Sequence, residues 1–239
     1  MTITKFVFFD FLKRVLILNL IGLLFFPILS LNAGSPLDNV KYIIPNGWEL
    51  KSRKVDDSKA VLVYDIRTEI IYGKQCPCFS LLQSYYLPDS ITLRYADDIV
   101  SQHILKISKA HYVLSAQDGE YWKTYLFIGD ERSVQIILLY RIGIFKGTSF
   151  EVMMAFPNKK SVDSTHKDLK VLSLNSDYVI DQNMRGIAVD SHYVGHLLDD
   201  FNSFCNSIEI YDQKLFKAKF ILLDPPDSAN VFRDSTIEH

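Results

Sequence analysis

Hydrophobic positions recur along this chain with two different periods, and the change of period divides it into elements. From Tyr121, the residues Tyr121, Lys123, Tyr125 and Phe127 alternate with Trp122, Thr124, Leu126 and Ile128. Aromatic and β-branched residues at a period of two suit a pleated, half-buried surface, so this run predicts a strand. Gly129 to Arg132 predicts a turn. A second strand follows from Ser133 to Ile144, where both alternating sets are largely apolar, as in a strand covered on both faces. After Lys146-Gly147-Thr148-Ser149, Phe150 to Phe156 completes a three-stranded meander that ends at Pro157-Asn158.

Upstream, Pro45-Asn46-Gly47-Trp48 predicts a tight turn that delivers a tryptophan to the core. Trp48 to Arg53 and Ala60 to Ile66 predict a hairpin, and Phe79 to Leu87 a further strand. The period then changes to that of a helix. Leu93, Ala96, Val100, Ile104 and Ile107 form one stripe over 92–108, with Asp89, Ser90 or Thr92 as candidate caps. His111 to Ala116 returns as a strand. Residues 161–190 are polar and irregular, with one short helix expected around His166 to Leu172. A second long helix is expected over 190–211, its inner face carrying Tyr193, Leu197, Phe201, Phe204 and Ile208. Beyond it a tail, 212–239, is expected to hold at most one short strand, Phe220 to Leu223, and to be partly disordered. The expected fold is α+β: an antiparallel sheet with helices packed on it, an α/β/α-like sandwich, in a single domain over 34–211.

The first 33 residues change the picture from fold to address. Lys5, Lys13 and Arg14 precede an apolar run, no charge occurs between Val15 and Leu37, and small residues follow at Ala33-Gly34-Ser35. This is the pattern of a secretory signal peptide, although Leu31 stands where a small residue is preferred. The rival reading is an uncleaved anchor over 15–37, nearly long enough to cross a bilayer. The expected location is therefore periplasmic or secreted, or membrane-anchored if the leader is retained. The net charge of −2 gives no basic excess for a phosphate backbone, so nucleic acid is not an expected partner.

Candidate chemistry is sparse. Three cysteines occur, Cys76 and Cys78 around Pro77, and Cys205. In an exported chain they suggest a structural bridge from Cys76 or Cys78 to Cys205, with one thiol left over. A Cys-x-Cys pair is also able to hold a soft metal or exchange disulfides, and buried free thiols are the third reading. His192 and His196 lie one helical turn apart with Asp199 near the same face, a low-probability metal set. Tyr193 stands where a metalloprotease helix needs its glutamate, so the hydrolase version fails, and solvated helix-face residues are the plainer reading. Tyr85, Tyr86, Tyr121, Trp122 and Tyr125 form an aromatic set that suits a groove or, more commonly, sheet core. Nucleophile-elbow, phosphate-loop and dinucleotide motifs are absent, and no catalytic residue or cofactor is assigned.

The order Ile44-Pro45-Asn46-Gly47-Trp48, strands, helix, meander, and a last helix reading Phe201-Asn-Ser-Phe-Cys-Asn-Ser-Ile208 resembles the Mog1/PsbP-like fold, including small exported bacterial proteins of the DcrB type. The resemblance covers about residues 40–211. It implies an antiparallel sheet flanked by helices and an envelope protein that binds rather than catalyses, and it carries over no catalytic residue. Residues 161–190 and those beyond 212 go outside its pattern. The functional expectation is an exported, non-catalytic envelope or secreted protein that binds a protein, peptide or lipid. The alternative is a thiol- or metal-dependent envelope enzyme using Cys76 and Cys78.

Overall fold

Side-chain alternation across the pleat decides the architecture, because nearly every long apolar run is used as a strand. The computed structural model describes residues 35–38, 40–71, 73–104, 110–118, 120–131, 134–159, 169–174, 186–210, 213–214 and 219–224. The leader 1–33 lies outside them, as do 161–168, 175–185 and 225–239. In chain order the elements are β1 (Val40–Lys41), β2 (Glu49–Val55), β3 (Lys59–Ile71), β4 (Lys74–Tyr86), a 3-10 turn (Leu93–Tyr95) and helix α1 (Ala96–His103). Then come β5 (His111–Asp118), β6 (Trp122–Glu131), β7 (Val134–Phe145), β8 (Thr148–Pro157), β9 (Leu169–Leu174) and β10 (Ile187–Asp190). Helix α2 (Ser191–Ser207) leads to β11 (Glu209–Ile210), β12 (Gln213–Lys214) and β13 (Phe220–Leu223).

One seven-stranded antiparallel sheet, in the order β2-β3-β4-β8-β7-β6-β5, forms the body. Two smaller antiparallel sheets, β1-β11-β12 and β10-β9-β13, complete it. The expected α+β sandwich is therefore overturned: the protein is β-rich, with two α-helices among the described residues, one of them eight residues long. The reason is local. Leu169–Leu174 and Ile187–Asp190, expected to be irregular or helical, pair as β9 and β10, and Phe220–Leu223 joins them as a third strand. Short apolar runs separated by long polar segments show no period of their own, so only their pairing reveals them as strands.

Each face of the large sheet buries a separate cluster. Phe79, Leu81, Tyr125, Phe127, Leu138 and Tyr140 meet Leu93, Ala96, Val100 and Ile104 of the α1 region. On the opposite face Leu62, Tyr64, Leu82, Leu126, Leu139 and Met154 meet α2 through Val194, Leu197, Phe201 and Phe204, and meet β9 and β13 through Leu172, Leu174 and Phe220. Trp48 enters this second cluster as expected, with its ring centroid 5.1 Å from that of Phe204. Leu93, Ala96, Val100 and Ile104 of the first expected stripe are buried, as are Tyr193, Leu197, Phe201, Phe204 and Ile208 of the second, while Ile107 lies outside the described residues. The first helix begins with a 3-10 turn, whose N-cap Thr92 makes no side-chain capping bond. Asp97 of its first turn instead accepts from Lys123 Nζ (2.6 and 2.8 Å) and Tyr125 Oη (2.8 Å), which tie the helix to β6. The second helix is capped by Asp190, whose carboxylate accepts from Tyr193 N at 3.1 Å.

Of the turn expected at Gly129–Arg132, the first three residues are strand instead, and Arg132 lies outside the described residues. Gly129, Asp130 and Glu131 continue β6 and pair with Ile136, Gln135 and Val134. The β7–β8 turn falls as expected at Lys146-Gly147, both with positive φ, as a tight two-residue hairpin requires.

Gly143, near the end of β7, lies opposite Trp122. A Cβ on Gly143 would stand 2.4 Å from the indole ring, which is itself buried. Gly195 in α2 has nothing within 4 Å of such an atom. Gly143→Ala is therefore expected to destabilise by about 1–3 kcal/mol through overpacking. Gly195→Ala is expected to stabilise by roughly 0.5–1 kcal/mol through helix propensity. Urea unfolding midpoints of the two variants check both signs.

Candidate functional site

A carboxylate inside a sheet must either lose its charge or be surrounded by donors, because its desolvation is costly. Glu151 meets this condition in β8, the central strand, where it is wholly buried. Its Oε1 accepts from Tyr85 Oη and from Ser149 Oγ at 3.3 Å. Its Oε2 accepts from Gln83 Nε2 and Tyr140 Oη, and His103 Nδ1 stands 3.4 Å away. The donors come from both neighbouring strands, β4 and β7, from β8 itself, and from the last residue of α1. The His103 ring also meets Tyr85 edge-on at 6.1 Å.

The electrostatics follow from this shell. Burial alone pushes the Glu151 carboxyl up, but the His103 imidazole and the two tyrosine hydroxyls outweigh it and hold the carboxyl at about 2. The same burial, with the carboxylate beside them, pushes the phenols of Tyr85 and Tyr140 well above their usual range. Both oxygens of the carboxylate are thus occupied by the protein's own donors. A general base needs a free lone pair aimed at a substrate proton. Glu151 instead serves as a clamp that joins β4, β7, β8 and α1.

A second polar cluster docks the start of α2 on the β3–β4 hairpin. The Arg67 guanidinium donates to the Tyr193 carbonyl at 3.2 Å and lies 4.9 Å from the Tyr193 ring centroid. Arg67 Nε and Lys159 Nζ pair with the two oxygens of Glu69, at 2.9 and 3.6 Å. Lys159 Nζ lies 5.6 Å from the same ring, so Tyr193 carries two cations on its π-system. Cys78 Sγ and Tyr193 Oη share a hydrogen bond at 3.4 Å.

The three expected disulfide candidates are all buried and free. Cys76 packs with Ile71 and Val134, whereas Cys78 belongs to the α2-side core. Cys78 touches Tyr193 in the first turn of α2, and Cys205 lies twelve residues further along the same helix. That is about 18 Å of helix, far beyond the reach of a disulfide. Burial raises all three thiols, to about 11 for Cys78 and Cys205, with Tyr193 partly offsetting it at Cys78 and the Arg141 charge doing so at Cys205. A reactive thiol requires the opposite shift.

The low-probability metal set is not assembled. His192, His196 and Asp199 are exposed on the outer face of α2, and no group of three potential ligands gathers among the described residues. His166 lies outside the described residues. Of the aromatic set, Trp122 and Tyr125 are core, Tyr85 belongs to the Glu151 shell, and Tyr121 is 39% exposed. No described helix is long and apolar enough to cross a membrane.

Sequence reasoning passed over Glu151 and Arg141. Their signal was present: each is a lone charge inside an otherwise apolar strand, in Ser-Phe-Glu-Val-Met and Leu-Tyr-Arg-Ile-Gly. Arg141 is also wholly buried, on the α2 side, with the rings of Phe220 and Phe201 at 5.6 and 6.0 Å. No protein-family model matches the chain, and no curated protein matches it.

The low value at Glu151 sets a direction for acid unfolding. The folded carboxyl titrates near 2 against an ordinary 4.5, so it adds stability above about pH 4.5 that is lost as the pH falls toward 2. The loss amounts to as much as about 3 kcal/mol. Glu151→Gln is expected to be less stable at pH 7 by a few kcal/mol, with its deficit closing toward pH 2. Denaturant titrations across pH 2–7 check the convergence. The thiols give a second test: at pH 8 the native protein should resist iodoacetamide at all three cysteines, and alkylation should follow unfolding. Mass spectrometry after timed quenching reads both steps.

Proposed function

We propose that the protein is an exported, non-catalytic envelope or secreted protein that acts by binding a partner, whether protein, peptide or lipid. The observation that carries this reading is the distribution of its side chains. The three thiols, Glu151 and Arg141 are buried among internal contacts, while apolar side chains stand uncovered along residues 43–55. Ile43 is 73% exposed, Leu50 52%, Ile44 40% and Val55 37%. Isolated exposed apolar residues are ordinary, but four within thirteen residues, leading into and forming an edge strand, suit a recognition surface. The leader pattern in residues 1–33 supports the location. The thiol-enzyme alternative loses support from the raised thiols and from the separate packing of Cys76 and Cys78. A basic surface for nucleic acid would need the charge excess that a net −2 does not supply.

Photo-crosslinking in the native host tests the reading. A photoreactive residue at Ile43 or Leu50 is expected to give discrete adducts, whereas one at exposed Asp199 on α2 gives none. Adducts from none of the three positions, or equally from all, would overturn it.

A further inference from the structure

We infer that the outer edge of β2 takes up an extended acidic segment of a partner protein as an added antiparallel strand. This rests on the binding reading and names the partner's chemistry. β2 ends the seven-stranded sheet, and no described strand pairs with its outer edge. It is also uncovered on both faces: six of its seven residues are exposed and Ser52 is intermediate. The opposite edge, β5, differs, because its residues Val113 to Ala116 are buried. A free strand edge offers backbone donors and acceptors that an extended chain satisfies.

Charge selects the occupant. A bulge at Lys51 shifts the register, so that Leu50 pairs with Tyr64 and Ser52 with Val63. Leu50, Arg53 and Val55 thereby share the face of Tyr64 and Leu62, while Ser52 and Lys54 share that of Val63 and Val61. Lys51 is held by Asp65. Arg53 and Lys54 are exposed, and no ion pair holds either among the described residues. The nearby Asp56 carboxylate accepts from Ser58 N and Lys59 N at 2.8 Å and attracts Lys54 through space, without forming an ion pair with it.

A second copy of the chain fits poorly. Two β2 strands related by a two-fold axis at Ser52 would set Lys51 against Arg53, and an axis at Arg53 would set Arg53 on itself; an axis at Lys51 sets Glu49 on Arg53 but opposes the two Lys51 side chains. Like charges directly opposite each other destabilise a strand pair. An incoming antiparallel strand is matched when it places acidic residues opposite Arg53 and Lys54 and apolar residues opposite Leu50 and Val55.

The probe is a fluorescent synthetic peptide with an apolar–acidic–acidic–polar–polar–apolar core, titrated with the full chain by anisotropy. Binding is expected for this peptide and not for its lysine counterpart. The double variant Arg53→Glu, Lys54→Glu should weaken it about tenfold or more, since two cross-strand ion pairs become repulsions. Two N-methylated versions of the peptide, with alternate amides blocked in opposite phase, decide the mode. An added strand uses only one phase, so one version should lose binding and the other keep it. Equal binding of both, binding unaffected by the charge reversal, or no binding of the acidic peptide overturns strand addition. Concentration-dependent self-association of the free chain that Arg53→Glu abolishes overturns it in favour of a second copy. Any of these results leaves crosslinks from Leu50 or Ile43 to stand or fall separately, so failure here is distinguishable from failure of the binding reading.

Discussion

The carboxylate of Glu151 is the constraint to which much of this structure answers. It sits on the central strand of the sheet with no access to water, so its charge must be met entirely by the protein. The donors that meet it fix relationships that apolar packing leaves loose. Gln83 and Tyr85 hold β4 in register with β8, Tyr140 does the same for β7, and His103 brings the end of α1 onto the sheet. Hydrophobic burial is non-directional and tolerates sliding, whereas a carboxylate with both oxygens occupied accepts one arrangement. A one-residue slip of either neighbouring strand would place a partner on the opposite face and leave the charge bare.

Similar logic governs the other face. Arg141 enters the α2-side core from β7 and is surrounded there by Phe201, Phe220 and Cys205. The cluster of Arg67, Glu69, Lys159 and Tyr193 seats the first turn of the same helix. Polar fastenings thus join β3, β4, β7, β8 and both helices in addition to their apolar contacts. This allocation of charged and thiol side chains to internal fastening is what turns the functional reading toward the surface. The edge strand β2 is the complement of the interior: no described strand pairs with its outer edge, six of its seven residues are exposed, and its cations lie where a partner strand would run.

The chain order of strands was largely legible because period-two alternation is a local property. Trp48 in the core, the β7–β8 hairpin at Lys146-Gly147, and the buried stripes of both helices all follow from residue type and spacing. Other expectations failed where spacing alone was ambiguous. Gly129, Asp130 and Glu131 have turn composition, yet pairing with Val134 to Ile136 keeps them in a strand. Leu169–Leu174 is too short to declare its period and became a strand by lying between β10 and β13.

By itself, then, the sequence determined which residues seek the interior and which local conformations they favour, because both depend on side-chain chemistry and short-range sterics. Only the tertiary structure decided which strands are neighbours, since that depends on contacts between residues far apart in the chain. Cys78 and Cys205 look like natural partners in a list of three cysteines, but one touches the first turn of α2 and the other lies twelve residues along it. Glu151 looks like a stray charge in an apolar run until β4, β7 and α1 supply its donors. The free edge of β2 is likewise a property of the sheet order, and no inspection of residues 49–55 alone reveals on which side their backbone is left open.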